Sequence, residues 1–372
     1  MSFLPLHNIN NLRLQLTIPL FLSLFCNAGH GQTAAKSKLI TVATFGHHRP
    51  IGVTVSPVSN RVFVSFPHSQ PFQYALVEIK NGQAEPYPDT RWNKFVTFAD
   101  KSHFSNVQDL TTDDQNNLWV LDAAPGRGPG GIGYFKLLRI NLERDAVERI
   151  YYFDDLDKYK IALNDVNIDH VRGLAYLSDP GSHAIVVLNL ATGKSRILLK
   201  DHPAMLATPG LRLHLDGKDV VDLHDNAFVS NVNGIALTTD KQYLYFRAIN
   251  QLKLYRIKTD CLADSTLSYS QLSSCIEDMG ETGICHGMIA DKLGNIYLSA
   301  SPDHAIKFLS PDGKLHTLIV DSRIIWPDSF GIGSDGFLYF SCSQINRSPA
   351  FNAGIDQTDY PYRVYKVALP EQ

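Results

Sequence analysis

The sequence lacks the features that mark several large classes of protein. Its apolar stretch Leu14–Phe25 is too short to cross a bilayer as a helix. Charge is nearly balanced, because 34 basic and 37 acidic residues give a net charge of -3. This balance gives no electrostatic reason to expect nucleic acid or an anionic membrane as a partner. A hydrophobic content of 44% with 19% charged residues is typical of a globular chain.

Short catalytic motifs are absent as well. The sequence contains no Gly-x-Ser-x-Gly, no His-Glu-x-x-His, no Gly-x-x-x-x-Gly-Lys and no Cys-x-x-Cys. Gly126–Gly133 does contain the spacing Gly-x-Gly-x-x-Gly. A dinucleotide site requires a helix after that loop, whereas Tyr134–Leu142 has the pattern of a strand. The sequence therefore predicts no nucleotide cofactor.

Cysteine is scarce, and its placement bears on export. Arg13 followed by the apolar core Leu14–Phe25 predicts a secretory signal peptide over residues 1–31, which leaves 32–372 as the mature chain. Four cysteines then remain, an even number that allows two disulfides in three connectivities. Because Cys261, Cys275 and Cys285 crowd one loop, we expect a local bridge there. A secreted or periplasmic location follows from these features.

What the sequence has in abundance is one repeated unit. In Asn231–Ala248, two apolar runs rich in β-branched and aromatic residues flank a polar turn, which is typical of a β-hairpin. One hairpin cannot bury its apolar face alone, so the unit must recur. Six copies are present, at Ile51–Phe66, Gln108–Asp122, Asn164–Asp179, Asn233–Ala248, His286–Ala300 and Asp328–Cys342.

The spacing of these hairpins predicts the fold. They recur at intervals of roughly 40 to 70 residues, with room for about four strands per repeat, as in a β-propeller. Leu39–Phe45 and Tyr362–Leu369 are strand-like and lie outside the hairpins, so we expect them to share one blade and close the ring. The prediction is an all-β, six-bladed β-propeller forming one domain over residues 32–372. An open β-sandwich or two separate β-domains fit the regular spacing less well.

One insertion departs from the repeat. Residues 201–230 separate the third and fourth hairpins, and Asp216-Gly217 within them is a probable-turn dipeptide between two apolar runs. We expect this insertion to form a hairpin that caps one mouth of the axial channel.

Polar residues begin the innermost strands, and these starts meet at one mouth of a propeller's channel. Aligning the six hairpins puts Ile51 and five polar positions at this level. The polar positions are Gln108, Asn164 or Asp165, Asn233, His286 and Asp328. Their amide, carboxylate and imidazole groups suit a small-molecule ligand. The oxygen atoms of Asn164, Asn233 and Asp328 suit Ca²⁺ or, less specifically, Mg²⁺ or Mn²⁺. The alternative is that the ring only binds water and caps strand ends.

Several ordered motifs resemble a known family. They are Asn117-Leu-Trp-Val-Leu-Asp122, Val232-Asn-Gly-Ile-Ala-Leu237, Tyr243-Leu-Tyr-Phe246, Leu254-Tyr-Arg-Ile257, Trp326-Pro-Asp-Ser329, Asp335-Gly-Phe-Leu-Tyr-Phe340, Gln344-Ile-Asn346 and Pro361-Tyr-Arg-Val364. In this order they resemble the major royal jelly protein/Yellow family, in a bacterial-type member. The resemblance implies a secreted six-bladed propeller. Members include proteins that bind small amines, nutrient or structural secreted proteins, and dopachrome-converting enzymes, so the resemblance fixes the fold better than the chemistry.

A more distant similarity is to gluconolactonase/SMP-30-like lactonases, which are also six-bladed. Asn164-Asp165 and Asn233-Gly234 look like that family's metal-binding steps. Ile51 and His286 stand where the family has Glu and Asp, and Asp328 lies one blade later than expected. The loss of two carboxylates weakens a site for a hard cation.

Three functions follow as hypotheses. The first is binding of a small molecule at the axial mouth by Gln108, Asn164, Asn233, His286 and Asp328. The second is a metal-dependent lactonase with Asp165 or His286 as general base. The third is a dopachrome tautomerase in which His286 shuttles the proton. In each case we expect a monomer with no membrane span and no nucleic-acid partner.

Overall fold

Short strands, many of them wholly buried, make up nearly all of the structure. The computed structural model describes residues 38–69, 72–96, 100–126 and 132–370, so the expected signal peptide lies outside them. The strands are β1 (Ile40–Thr44), β2 (Val53–Val55), β3 (Val62–Ser65), β4 (Leu76–Lys80), β5 (Gln83–Pro86), β6 (Val107–Thr112), β7 (Asn117–Ala124), β8 (Tyr134–Asn141), β9 (Ala146–Tyr151), β10 (Val166–Asp169), β11 (Leu174–Asp179), β12 (Ala184–Asn189), β13 (Ser195–Leu198), β14 (His214–Leu215), β15 (Lys218–Asp219), β16 (Val232–Leu237), β17 (Tyr243–Ala248), β18 (Lys253–Lys258), β19 (Ile276–Glu281), β20 (Met288–Ala290), β21 (Ile296–Ala300), β22 (Ala305–Leu309), β23 (Leu315–Val320), β24 (Pro327–Ile332), β25 (Phe337–Cys342) and β26 (Arg363–Ala368).

These strands form six four-stranded antiparallel sheets in the described part of the chain. Blades one to three are β2–β5, β6–β9 and β10–β13, and blades four and five are β16–β19 and β20–β23. Blade six has the order β24, β25, β26, β1, so the first strand of the described chain completes the last blade. In that pairing Ile40 lies opposite Lys366 and Thr44 lies opposite Arg363. The six-bladed propeller and its closure by the terminal strands are confirmed.

The apolar core is divided among the spaces between neighbouring blades. For example, one cluster joins Trp119 of blade two to Leu177 of blade three, and another joins Tyr297 of blade five to Phe340 of blade six. Each blade therefore buries its faces only against its neighbours, as the repeat pattern requires. No helix among the described residues is long and apolar enough to cross a membrane.

Helical segments are short and lie in the connections. The α-helices are α1 (Thr259–Ala263) and α2 (Tyr269–Ser273), between β18 and β19. Single turns of 3₁₀-helix lie at Pro203–Met205, Ser301–Asp303, Ile345–Arg347 and Pro349–Phe351. A disulfide joins Cys261 of α1 to Cys275 just beyond α2, which confirms the expected local bridge. Cys285 and Cys342 are free and buried.

The innermost strands approach each other closely around the axis without pairing as a sheet. Side chains satisfy some of their backbone groups instead: Asp109 Oδ2 accepts a hydrogen bond from the backbone N–H of Val166 at 3.0 Å. Gly287 precedes β20, and a Cβ there would overlap the carbonyl oxygen of Asp328. Glycine therefore permits the contact between the fifth and sixth innermost strands, which keeps the channel narrow.

The insertion after blade three forms a separate element. Residues 206–230, called the cap from here on, contain the two-stranded hairpin β14–β15 with its turn at Asp216-Gly217. Neither strand joins a blade. The expected hairpin is present, and its apolar residues pack against Trp326 beside the start of β24.

Candidate functional site

The predicted ring residues lie at the starts of the innermost strands. Gln108, Asn233 and Asp328 fall in the first two residues of β6, β16 and β24. Asn164 and His286 lie two residues before β10 and β20. Adjacent starts are in close contact, because a Cβ on Gly234 would overlap the carbonyl oxygen of His286. Residues from distant parts of the chain are thus brought together at one end of the axis.

Hydroxyl groups on the second strands hold these starts in place. Ser178 Oγ accepts the backbone N–H of Asp165 at 3.0 Å, and Ser299 Oγ accepts that of His286 at 2.8 Å. The same arrangement recurs in blades one and six with Ser65 and Ser341. The sequence analysis missed this role, although a serine near the end of four of the second strands was a readable signal.

Part of the ring is a chain of hydrogen bonds. Gln108 Nε2 donates to Asn164 Oδ1 at 3.1 Å, and Asn164 Nδ2 donates to Asp165 Oδ1 at 2.7 Å. On the other side of the ring, Asn233 Nδ2 donates to Ser230 Oγ at 3.3 Å. Because these amides already have partners, they orient the carboxylate of Asp165 and leave fewer groups free for a ligand.

His286 differs from the other ring residues in its burial and its lack of partners. Its side chain is 1% exposed and stacks on Trp326, with 4.1 Å between ring centroids and 28° between ring planes. No protein atom is hydrogen-bonded to either ring nitrogen. Burial, together with the nearby charge of Arg247, lowers the pKa of His286 to about 3. The imidazole is therefore neutral at physiological pH and can donate one hydrogen bond and accept another.

Three carboxylates line a cavity below this level. Asp109, Asp165 and Asp328 border a space of about 40 Å³ on the axis. Burial and the charge of Asp328 raise the pKa of Asp109 to about 7, and burial raises the pKa of Asp328 to about 6. Burial, then the charges of the other two carboxylates, raises the pKa of Asp165 well above its ordinary value. At neutral pH this group of acids therefore retains protons.

Two further facts bear on what the cavity can hold. Asp328 Oδ2 is buried and has no hydrogen-bond partner in the protein. The volume of about 40 Å³ accommodates water but falls far below the roughly 300 Å³ of small ligand pockets. Asp109 was not predicted, since the hairpin alignment placed its neighbour Gln108 at the axis. An organic ligand must therefore lie above the acids, near His286 and Trp326.

The predicted metal set does not form a ready cation site. Of Asn164, Asn233 and Asp328, only Asp328 supplies a carboxylate, and both amides are engaged as donors within the protein. Among residues 38–69, 72–96, 100–126 and 132–370, no three His, Cys, Asp or Glu side chains are arranged to hold one metal ion. We derive no reaction step through a metal here.

The fold and this axial site define a six-bladed propeller with a polar, acid-lined mouth, and comparison with known proteins agrees. A sequence model described as "Major royal jelly protein" matches residues 105–322, which span blades two to five. The chain belongs to the major royal jelly protein family, which confirms the resemblance seen in its motifs. No curated protein matches the sequence.

Solved structures share the fold at low sequence identity. A gluconolactonase from Xanthomonas campestris is 11% identical over 90% of each chain, with a TM-score of 0.55. A streptogramin B lyase is 13% identical over 90% of this chain and 98% of its own, with a TM-score of 0.53. A calcium-binding regucalcin from Agrobacterium tumefaciens is 14% identical over 89% of this chain and 94% of its own, with a TM-score of 0.52. At such identities the likeness shows the fold alone.

Proposed function

We propose that the protein binds a small molecule at the axial mouth, against His286 and Trp326. The observation that carries the proposal is the buried imidazole with no protein partner for either nitrogen. Buried polar groups in native proteins nearly always have partners, so a neutral imidazole left unpaired at a channel mouth indicates a ligand-binding position. The stacked indole supplies an adjacent aromatic surface.

The chemistry of the mouth narrows the class of ligand. Trp326 favours a planar group, and Asp328 Oδ2 can accept a hydrogen bond from an N–H or O–H of the ligand. Asn233, Gln108 and Asn164 remain predicted contacts at the rim, where their amides exchange protein partners for ligand groups. A small, planar molecule that carries hydrogen-bond donors fits this set.

The test is ligand-dependent thermal stabilisation of the full mature chain. We would screen a panel of amines and sugar acids and repeat each hit with Asn233→Ala and Asp328→Asn. Asp312→Asn is the matched control, because Asp312 is exposed in the outer turn of blade five. Binding at the mouth predicts an increase in unfolding temperature for wild type and control and its loss in both mouth variants. No hit, or hits that both mouth variants retain, would refute the proposal.

A metal-dependent lactonase is the second candidate. It is supported by the carboxylates around the axial cavity and by the shared fold with a gluconolactonase and a calcium-binding regucalcin. Asp165 or His286 would act as general base, although a pKa near 3 makes His286 a weak one. Calcium that raises the unfolding temperature, with lactone hydrolysis lost in Asp328→Asn, supports this candidate. A protein indifferent to calcium and inactive on lactones removes it.

No observation in the structure favours the dopachrome tautomerase hypothesis, which stays a prediction. Dopachrome loss followed spectrophotometrically with wild type and His286→Ala tests it directly.

We also propose that the protein is exported. Family membership and the disulfide between Cys261 and Cys275 support this, because disulfides persist in oxidising compartments. N-terminal sequencing of protein recovered outside the cytoplasm should begin near residue 32, and recovery of uncleaved protein from the cytoplasm alone would contradict export. A monomeric state remains a prediction, and light scattering would test it.

A further inference from the structure

The cap leaves the ring and returns to it at a single point. Asn250, fully buried after β17, donates from Nδ2 to the backbone oxygens of Leu211 and Phe228 at 3.0 and 2.9 Å. Its Oδ1 accepts the backbone N–H of Ser230 at 2.9 Å. One side chain therefore ties both ends of the segment 211–230 together and forms a neck. Since the cap strands join no blade, the segment beyond this neck is not part of any sheet in the ring.

The underside of the cap covers the proposed binding position. Leu213, Leu215 and Val220 are buried in one cluster with Trp326. Phe228 meets the same indole edge-on, with 5.2 Å between ring centroids. Trp326 and the stacked His286 thereby become almost inaccessible, at 2% and 1% exposure. A ligand of ordinary size reaches the imidazole only if the cap moves.

The tip of the cap is fastened to the ring by one carboxylate. Asp216, in the turn between β14 and β15, accepts hydrogen bonds from Arg347 Nε at 2.8 Å and Asn346 Nδ2 at 3.0 Å. His304 Nε2 lies 3.2 Å from its other oxygen. Burial alone would raise the pKa of Asp216, but the bond and charge of Arg347, with the charge of His304, hold it below its ordinary value. The carboxylate is ionised, and its partners come from blades five and six.

We propose that the cap is a lid, hinged at the Asn250 neck and latched to blades five and six through Asp216. Apolar contacts and a few side-chain ties hold the segment, whereas backbone ladders hold the blades, so the cap opens without unfolding the ring. A permanent plug would not place an unpaired imidazole and an unpaired carboxylate oxygen beneath an apolar cover, because burying such groups is costly. Opening exposes these groups to ligand. That use rests on the proposed function, but the opening itself does not.

Amide hydrogen exchange of the mature chain, followed by mass spectrometry, tests the latch without any ligand. The test variants are Asp216→Asn and Arg347→Gln. Asp225→Asn is the matched control, because Asp225 also pairs with an arginine, Arg212, but both lie within the cap. Asp216 and Asp225 both have left-handed backbone, at φ 52° and 61°, a region that asparagine tolerates as well as aspartate.

The lid predicts a local effect. Amides such as that of Val220, bonded to the oxygen of Leu213 at 2.9 Å, should exchange about tenfold or more faster in both latch variants. In Asp225→Asn they should keep the wild-type rate, and the strands of blades five and six should keep theirs in all three variants. The proposal is overturned if the latch variants exchange no faster than the control. It is equally overturned if blades five and six accelerate together with the cap, because Asp216 would then stabilise the ring itself. A ligand screen without hits leaves this result untouched.

Discussion

The axial carboxylates make the stability of this propeller depend on pH in an unusual direction. Asp109 is 8% exposed, and its pKa rises from 3.8 to about 7 in the folded protein. Because the folded pKa lies above the unfolded one, the native state binds more protons than the unfolded state between these values. Its contribution to stability is therefore complete below about pH 4 and is lost as the pH rises through about 7.

The magnitude follows from the pKa shift. A shift of about three units at roughly 1.4 kcal/mol per unit corresponds to about 4 kcal/mol for Asp109 between pH 4 and pH 8. Asp109→Asn removes this titration and keeps a side-chain oxygen for the backbone N–H of Val166. We therefore expect the variant to match wild type near pH 4 and to exceed it by up to about 4 kcal/mol at pH 8.

Urea unfolding at unit intervals from pH 4 to pH 8, with chelator present, measures this difference directly. The control is Asp312→Asn, an exposed aspartate far from the axis in blade five. Carboxylates with lowered pKa values, such as Asp113 and Asp216, act in the opposite sense in every variant and cancel in the comparison. A difference between Asp109→Asn and wild type that does not change with pH would refute the reasoning.

Three further predictions concern other parts of the ring. Gly287→Ala should lower the free energy of unfolding by more than about 2 kcal/mol in urea, because a Cβ there overlaps a carbonyl oxygen of the next strand; a neutral effect would mean that the strands can separate. Reduction of the bond between Cys261 and Cys275, 14 residues apart, should cost about 3 kcal/mol, and an unchanged melting temperature after reduction would contradict this. Lys136→Met should destabilise by about 3–5 kcal/mol, because it strands the fully buried Asp122 that lies 3.4 Å from the ammonium group; a loss below about 1 kcal/mol would show that the pair is not needed.

The fold was accessible from the sequence because each blade announces itself locally. The apolar runs and polar turns of the hairpins fix strand pairs, and their even spacing fixes a ring. The pairing of Ile40–Thr44 with Arg363–Ala368 followed because the two terminal strands had no other partner. The hairpin at Asp216-Gly217 and the bridge between Cys261 and Cys275 were likewise readable, since each depends on neighbours close in the chain.

The site was less accessible, because its chemistry depends on contacts between distant segments. Alignment of the hairpins selected Gln108, but Asp109 lines the axial cavity, and an error of one residue along a strand changes the face that a side chain occupies. The burial of His286 depends on Trp326, 40 residues further along the chain, and on the packing of the cap above it. No periodic pattern records such contacts.

A crystal structure of the protein with the strongest hit from the ligand screen tests the central claim most directly. The account predicts ligand density within hydrogen-bond distance of the His286 ring and Asp328, against the indole of Trp326 and beneath the cap. Density for the ligand on the outer surface of the blades, with His286 still packed and unpaired, would contradict it.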